Sequence, residues 1–483
     1  MSVVSLISGV VKERKLPANF SKDLLQLATQ AAIKPASVVR ENFCETPFIT
    51  IDGQDARDFD DAVACEPTAS GINLTVAIAD VAAYVKPGDA LDNEAKKRGN
   101  SVYLPDRVLP MLPPALSNDS CSLIPQQERL CLVCEMELRD GIVQRYRFAR
   151  GTMRSRQRLT YDEAAILMKN GPTHMQLLGI IGEALRLARR QRGGFIMDRP
   201  EINLTLAAND DIFMIQNQRN IAHYAIEECM IAANRCAADF VIRQRLPALH
   251  RVHKHPPAEN VKKLRAVLAE LNIDFPSEPI ARDFSDALDN LNKRDPDLGD
   301  NLLPLLLGTL ARAEYAPDEK TGHFGLACNR YLHFTSPIRR YPDLLTHRAI
   351  ISALEGKKST VSHEELVTIG AQCSQSEINA DKAGWECRQR LLCWKARNQI
   401  GLDFEGVVSG TTSFGVFVSI AELGVDGLVR LSEVPGFWKH DYERRQFVET
   451  GGQVLKLGSR LQVRLLSVAP SKGRADFKAI KIF

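Results

Sequence analysis

Ile51-Asp-Gly-Gln-Asp-Ala-Arg-Asp-Phe-Asp-Asp-Ala-Val63 carries five aspartates within ten residues. Carboxylates crowded this closely repel one another unless a cation sits among them. Oxygen donors without His or Cys select a hard divalent ion, Mg²⁺ or Mn²⁺. A calcium loop of EF-hand type does not fit. A register begun at Asp58 puts Val63 where glycine is needed and Ala69 where the closing glutamate belongs. The apolar flanks Phe48-Ile-Thr-Ile51 and Ala62-Val63 argue against a solvated acidic turn, because the chain enters a core on both sides. A divalent ion in such a nest supports in-line phosphoryl displacement, activating water and steadying the leaving oxygen. A cation on the non-bridging oxygens would then offset the developing charge. One candidate lies far along the chain, in His333-Phe-Thr-Ser-Pro-Ile-Arg-Arg-Tyr-Pro-Asp343, where Pro337 and Pro342 constrain the backbone around Arg339 and Arg340. On chemistry alone, an arginine pair at a helix start reads equally well.

Other charged and sulfur-bearing groups admit two readings each. Arg145, Arg147, Arg150, Arg154, Arg156 and Arg158 follow one another with no intervening acid, and Arg186, Arg189, Arg190 and Arg192 cluster at helical spacing. Guanidinium forks suit phosphate, but a solvated strand and a solvated helix face explain the same pattern. The eleven cysteines are an odd number without a regular framework, which reads as reduced thiols. Cys131 and Cys134 lack a second pair for zinc and sit in the alternating run Leu130–Leu138, so a buried strand is expected.

The elements that must position these groups follow from composition and periodicity. The chain has 483 residues, 45% hydrophobic and 25% charged, with a net charge of +3; this excludes disorder, collagen and a coiled-coil rod. Two to four domains are expected at roughly 100–200 residues each. No run of about 18 apolar residues offers a membrane span. The apolar Met1–Val11 precedes its charges rather than following them, unlike a signal peptide, so a cytoplasmic protein is expected. Residues 1–46 read as a helical lead-in. Residues 47–400 form a mixed body, with strands at Pro47–Ile51 and around Leu74–Ile78. Helices are expected at Tyr161–Arg192, Ile221–Arg245 and His363–Gln399, and a helical insertion between Pro256 and Pro304. Residues 401–483 hold five short β runs with glycine turns, the pattern of a small OB-type barrel.

The acidic and arginine segments together resemble the RNB catalytic domain of the RNase II/RNase R family, processive 3′→5′ exoribonucleases. The resemblance runs from about Pro47 to the C-terminus. It includes Asn100-Ser-Val-Tyr-Leu-Pro105, Leu109-Pro-Met-Leu-Pro113, Arg158-Leu-Thr-Tyr161, Ile226-Glu-Glu-Cys-Met230 and Gly322-His-Phe-Gly-Leu326, the last leaning toward the RNase R branch. It implies an α/β (α+β) RNB catalytic domain followed by an all-β OB-fold barrel of S1 type. It further implies that Asp52, Asp58, Asp60 and Asp61 surround the metal, with Asp55 outside the set, and that Arg339 clamps phosphate. Tyr103 would pack on the 3′-terminal base and Tyr161 near the terminal ribose, while Glu227 or Glu228 would read its 2′-hydroxyl. In the barrel, Ser413-Phe-Gly-Val-Phe417 offers Phe414 and Phe417 as a stacking platform flanked by His440 and Arg444; Phe417 reads equally as core.

The sequence departs from the family pattern in three places. Only about 45 residues stand before the acidic signature, so the family's cold-shock domains are expected to be lacking, as is its lysine-rich tail after Phe483, whether the chain is short by nature or a fragment. The family position of an aromatic that in RNase II stacks on the terminal bases falls near Leu204, so that ring is missing here, with Phe195 as a candidate replacement. The expected activity is Mg²⁺-dependent hydrolysis of single-stranded RNA, entering through a channel lined by the arginine clusters, to nucleoside 5′-monophosphates by a monomer that binds no membrane. The rivals are a catalytically silent RNA-binding protein of the same fold and a metal-dependent phosphatase or endonuclease.

Overall fold

Apolar residues alternate along the early strands and recur at helical spacing further on, and both periodicities are realised in the computed structural model, which describes residues 2–33, 35, 38–198, 200–207, 210–357, 361–434, 436–441 and 446–483. The lead-in forms α1 (Val3–Glu13) and α2 (Lys22–Ile33). There follow β1 (Glu41–Phe43), β2 (Ile49–Ile51), β3 (Asp61–Thr68), β4 (Gly71–Ala79), α3 (Ala90–Arg98), β5 (Val102–Tyr103), β6 (Val108–Leu109), β7 (Glu128–Arg139), β8 (Ile142–Arg154) and β9 (Gln157–Leu159). A helical stretch comprises α4 (Tyr161–Asn170) and α5 (Thr173–Gln191), then the hairpin β10 (Glu201–Leu206) and β11 (Ile212–Asn217), then α6 (Ile221–Arg243). Next come β12 (His250–Val252), α7 (Ala258–Glu270), α8 (Ala281–Arg294), α9 (Pro296–Thr309), β13 (Glu314–Ala316), α10 (Tyr341–Leu354) and α11 (His363–Ala396).

The central sheet runs β1-β8-β7-β4-β3-β2-β9, and the middles of β3, β4 and β7 are buried between two apolar layers. Val63, Val76 and Cys134 face the layer of α4, α5 and α6, whereas Ala62, Ala77 and Cys131 face the layer that includes α10. Cys131 and Cys134 therefore point to opposite faces, as residues three apart on a strand must, and cannot share one metal. Gly171-Pro172 divides the expected helix Tyr161–Arg192, since the residue before proline is pushed out of helical geometry. Thr160 and Glu163 form a capping box that starts α4 at Tyr161. Gly182 lets α5 approach α6: a Cβ there would lie 2.5 Å from Ala225 Cα.

The lead-in is fastened to the body. β1 pairs in parallel with β8, and Val3, Ile7 and Val10 pack against Cys387 and Leu391 of α11. The insertion of α7, α8 and α9 has its own apolar cluster.

The C-terminal region is a closed barrel of β14 (Asp403–Thr412), β15 (Gly415–Ile420), β16 (Val425–Arg430), β20 (Arg460–Ala469) and β21 (Arg474–Ile482). A small sheet of β17 (Trp438–Asp441), β18 (Gln446–Glu449) and β19 (Val454–Leu455) interrupts it, an addition that the five-strand pattern did not announce. Leu392, Cys393 and Ala396 of α11 pack into the barrel's apolar core. Among the described residues no helix is long and apolar enough to cross a membrane.

Candidate active site

The acidic segment becomes an irregular loop between β2 and β3, closed at both ends by the central sheet. At its start the Asp52 N–H donates to Leu159 O at 3.1 Å, and Asp52 Oδ1 accepts from Gly53 N at 2.7 Å. Arg158 donates to the carbonyls of Gly53 and Gln54. At the far end Ala79 N donates to Asp60 O at 2.9 Å. Ser122 secures the middle: its Oγ accepts from Phe59 N at 2.9 Å and donates to Arg57 O at 2.7 Å. Such bonding fixes the backbone that carries Asp52, Asp58, Asp60 and Asp61, while Asp55 stays exposed.

Asp60 is 3% exposed. Its Oδ1 accepts from Ile338 N at 2.8 Å, and its Oδ2 lies 3.3 Å from Arg339 Nε without hydrogen-bond geometry or any other donor. Residues far apart in sequence thus meet. Tyr103 joins them, since its half-exposed phenol donates to Asp58 Oδ2 at 2.8 Å. Asn100 bridges Arg340, and Ser101 N donates to Arg339 O at 3.0 Å, so β5 is tied beside the arginine motif.

Arg339 and Arg340 have separate fates. Arg340 grips Asp343 with two bonds, Nε to Oδ2 at 2.9 Å and Nη2 to Oδ1 at 2.8 Å, while Ser336 N donates to the same carboxylate. Arg339 donates to Ser336 Oγ at 2.9 Å and leaves 43% of its side chain exposed beside Asp60. It is the guanidinium available to a ligand.

Burial and mutual repulsion raise the pKa values of Asp52, Asp60 and Asp61. Burial pushes Asp60 well up, against Arg339 and the Ile338 N–H. Asp61 rises to about 7, through burial and then Asp52. Asp52 is raised by burial, with Asp58 adding to the effect. Among the described residues no three His, Cys, Asp or Glu side chains converge as a ready-made metal cage. The donors nevertheless suit a hard cation: they are all oxygens, their charges oppose one another, and Asp60 keeps a buried oxygen without a donor. A carboxyl whose pKa rises on folding holds its proton in the native state, so the metal-free protein loses stability as pH climbs from about 4 to about 7. We expect its melting temperature to decline over that window in EDTA, with a shallower decline in Asp61→Asn, as differential scanning fluorimetry would record.

Tyr161 stacks on His223, with centroids 3.9 Å apart and planes 12° from parallel. Burial pushes its phenol up, and Asp52 and Asp61 add to the shift. His223 was not picked out in the sequence, where Asn220-Ile-Ala-His223 looks like an ordinary helix cap. Arg189 Nη2 contacts Glu227 at 3.0 Å and Glu228 at 2.7 Å, and Arg219 pairs with Glu227. Glu228 is 2% exposed, whereas Glu227 is partly open.

The β8 arginines do not form a free phosphate row. Arg145 pairs with Glu137, Arg147 with Glu41 and Glu135, Arg150 with Asp80 and Glu355, and Arg154 with Glu128. Arg156 and Arg158 serve backbone carbonyls. Cross-strand acids on β7, invisible without register, account for much of this. Arg186 and Arg189 are likewise paired, with Asp198 and the two glutamates. Phe195 packs against the insertion's apolar cluster, and Leu204 lies between the barrel core and α11, so Phe195 does not supply the ring absent near Leu204. In the barrel Phe414 and Phe417 are exposed, at 59% and 39%, which favours the platform over the core for Phe417. His440 packs on Phe447. Arg444 lies outside the described residues.

A carboxylate loop facing a guanidinium, in a mixed α/β body followed by a nucleic-acid-type barrel, defines the class. The RNB domain profile matches residues 40–356 and the S1 RNA binding domain profile residues 398–479. The chain belongs to the RNB family. It is 40% identical over 473 residues to Ribonuclease R of Escherichia coli K12, covering 92% of this chain and 58% of that protein. Identity to Ribonuclease R of Thermotoga maritima is 35% over 504 residues, covering 99% and 71%. The structure of Mycoplasma genitalium RNase R in complex with ribose methylated single-stranded RNA superposes with a TM-score of 0.92 at 27% identity, covering 99% of this chain and 78% of that one.

Proposed function

We propose that the protein is a metal-dependent 3′→5′ exoribonuclease that hydrolyses single-stranded RNA processively to nucleoside 5′-monophosphates. The observation that carries this reading is the junction of Asp60 with Arg339, two chemically opposed groups brought together across the fold. The relatives named Ribonuclease R and the RNA in the Mycoplasma structure support the substrate class.

Asp52, Asp58, Asp60 and Asp61 would hold Mg²⁺ or Mn²⁺. When bound, the ion supplies Lewis-acid stabilisation of the phosphate and lowers the pKa of water. The chain's own residues do the rest. Arg339, anchored by Ser336, offers its exposed guanidinium to the scissile phosphate and offsets charge developing on its oxygens. Tyr103, fixed by Asp58, presents a ring to the last base. Tyr161, held flat against His223, would pack near the terminal ribose. Glu227, the more open of the two glutamates, is the acceptor for the 2′-hydroxyl that distinguishes RNA from DNA. Phe414 and Phe417 offer bases an aromatic surface on the barrel.

Digestion of 5′-labelled single-stranded RNA with Mg²⁺, and again with EDTA, tests direction and metal dependence together. A ladder shortening from the 3′ end only with Mg²⁺ is expected; degradation unaffected by EDTA, or cleavage of circular RNA, would refute the proposal. We also expect Tyr103→Ala to change the length of the smallest resistant fragment. An unaltered final band on a denaturing gel would remove Tyr103 from the terminal contact.

A further inference from the structure

An open groove of about 1470 Å³ lies away from the catalytic loop, between the start of β8, the ends of α5 and α6, and the loop around Cys328. Sheet register locates it. Asp61 aligns through Ile78 and Leu132 with Arg150, and the groove wall begins at Tyr146 and runs to the β7–β8 turn. At about 3.3 Å per residue, the wall starts about 13 Å from the catalytic end of the sheet and extends about 26 Å from it.

Arg192, Arg235, Lys320 and Arg330 line this groove, and none has a carboxylate partner among the described residues. Their want of an ion pair is unusual here, because the arginines of β8 and those preceding Arg192 on α5 are tied to acids or carbonyls; Arg192 meets the Cys328 thiol and feels Glu228 at longer range. Of the two acids in the lining, Asp239 and Glu319, Asp239 already accepts from Tyr146 Oη at 2.6 Å and Arg243 Nε at 2.7 Å. Arg192 and Arg235 lie close enough to repel each other. Glu319 is the second acid of the lining, and the four basic side chains outnumber it, so this concave surface keeps a net positive charge that suits an anion. Its extent exceeds what one phosphate would fill.

We propose that this groove is a second RNA-docking surface, on which Arg192, Arg235, Lys320 and Arg330 contact the phosphate backbone of substrate lying outside the catalytic cleft. This inference rests on RNA being the substrate. The groove would hold long RNA near the enzyme between turnovers, without reading sequence.

The test compares Arg192→Gln/Arg235→Gln, and separately Lys320→Gln/Arg330→Gln, with their parent, all in an Asp60→Asn background that prevents degradation. Fluorescence anisotropy would follow binding of RNA of about five nucleotides, which ends within the cleft, and of about thirty, which extends beyond it. For the long RNA we expect several-fold weaker binding and a salt dependence shallower by about 1.4 in log–log slope for each pair, because single strands contribute about 0.7 per phosphate contact. Short-RNA binding should not change. Unchanged long-RNA binding in both pairs would overturn the proposal. So would an equal loss for both lengths, or loss of binding only to a 5′-mononucleotide competitor. Failure of the parent to bind short RNA would count instead against the proposed function, and the long-RNA comparison would still decide the groove.

Discussion

Replacing Asp60 with asparagine is expected to slow RNA hydrolysis about a thousandfold or more while leaving RNA affinity within a few-fold. The amide keeps the oxygen that accepts from Ile338 N, so the local backbone is retained. It removes the charge on a carboxylate that both packs into the core and faces Arg339. Because burial already pushes the Asp60 carboxyl well up, the asparagine variant should melt no lower than the parent in EDTA. Single-turnover rates, binding by anisotropy and thermal melts check the three parts. A variant that degrades RNA at the parental rate would remove Asp60 from the chemistry; one that unfolds would make it structural.

Arg339→Ala and Arg340→Ala should fail in different ways, although the residues are adjacent and alike. Arg339 is half-exposed, and its loss leaves Asp60 without a nearby cation but opens no core. We expect near-parental stability with turnover reduced by about 10²–10³. Arg340→Ala strands the Asp343 carboxylate, which is 0% exposed and would retain only the Ser336 N–H among its described donors. Breaking a buried pair from one side costs about 3–5 kcal/mol, so urea unfolding should show a large loss. The Arg340 guanidinium is held well above its ordinary pKa: burial opposes its charge, but Asp343 more than offsets that. Lysine at Arg340 should recover only part of the stability, because it cannot make the two-pronged contact. Equal stability in the two alanine variants would contradict this division.

The positions of the two groups within the fold were legible to very different degrees. The acidic loop was plain from local pattern, since five carboxylates between two apolar runs have few uses. The barrel strands were equally plain, because alternation and glycine turns depend on near neighbours. The arginine row on β8 misled, because its partners Glu135 and Glu137 lie on β7 and come opposite only through register. Glu227 and Glu228 could not be told apart until the orientation of α6 left one buried and the other partly open. His223 was hidden because a residue that closes a helix cap looks the same whether or not a tyrosine stacks on it.

The chain by itself determined the groups available: a nest of oxygen donors, an arginine motif flanked by prolines, aromatic rings and a barrel to carry some of them. Tertiary structure alone decided which charges remain free to act. Desolvation makes an internal partner compulsory for a buried charge and optional for an exposed one. Which side chains are buried depends on how distant segments pack, and that is why Arg340 is committed to Asp343 while Arg339 stands open beside Asp60.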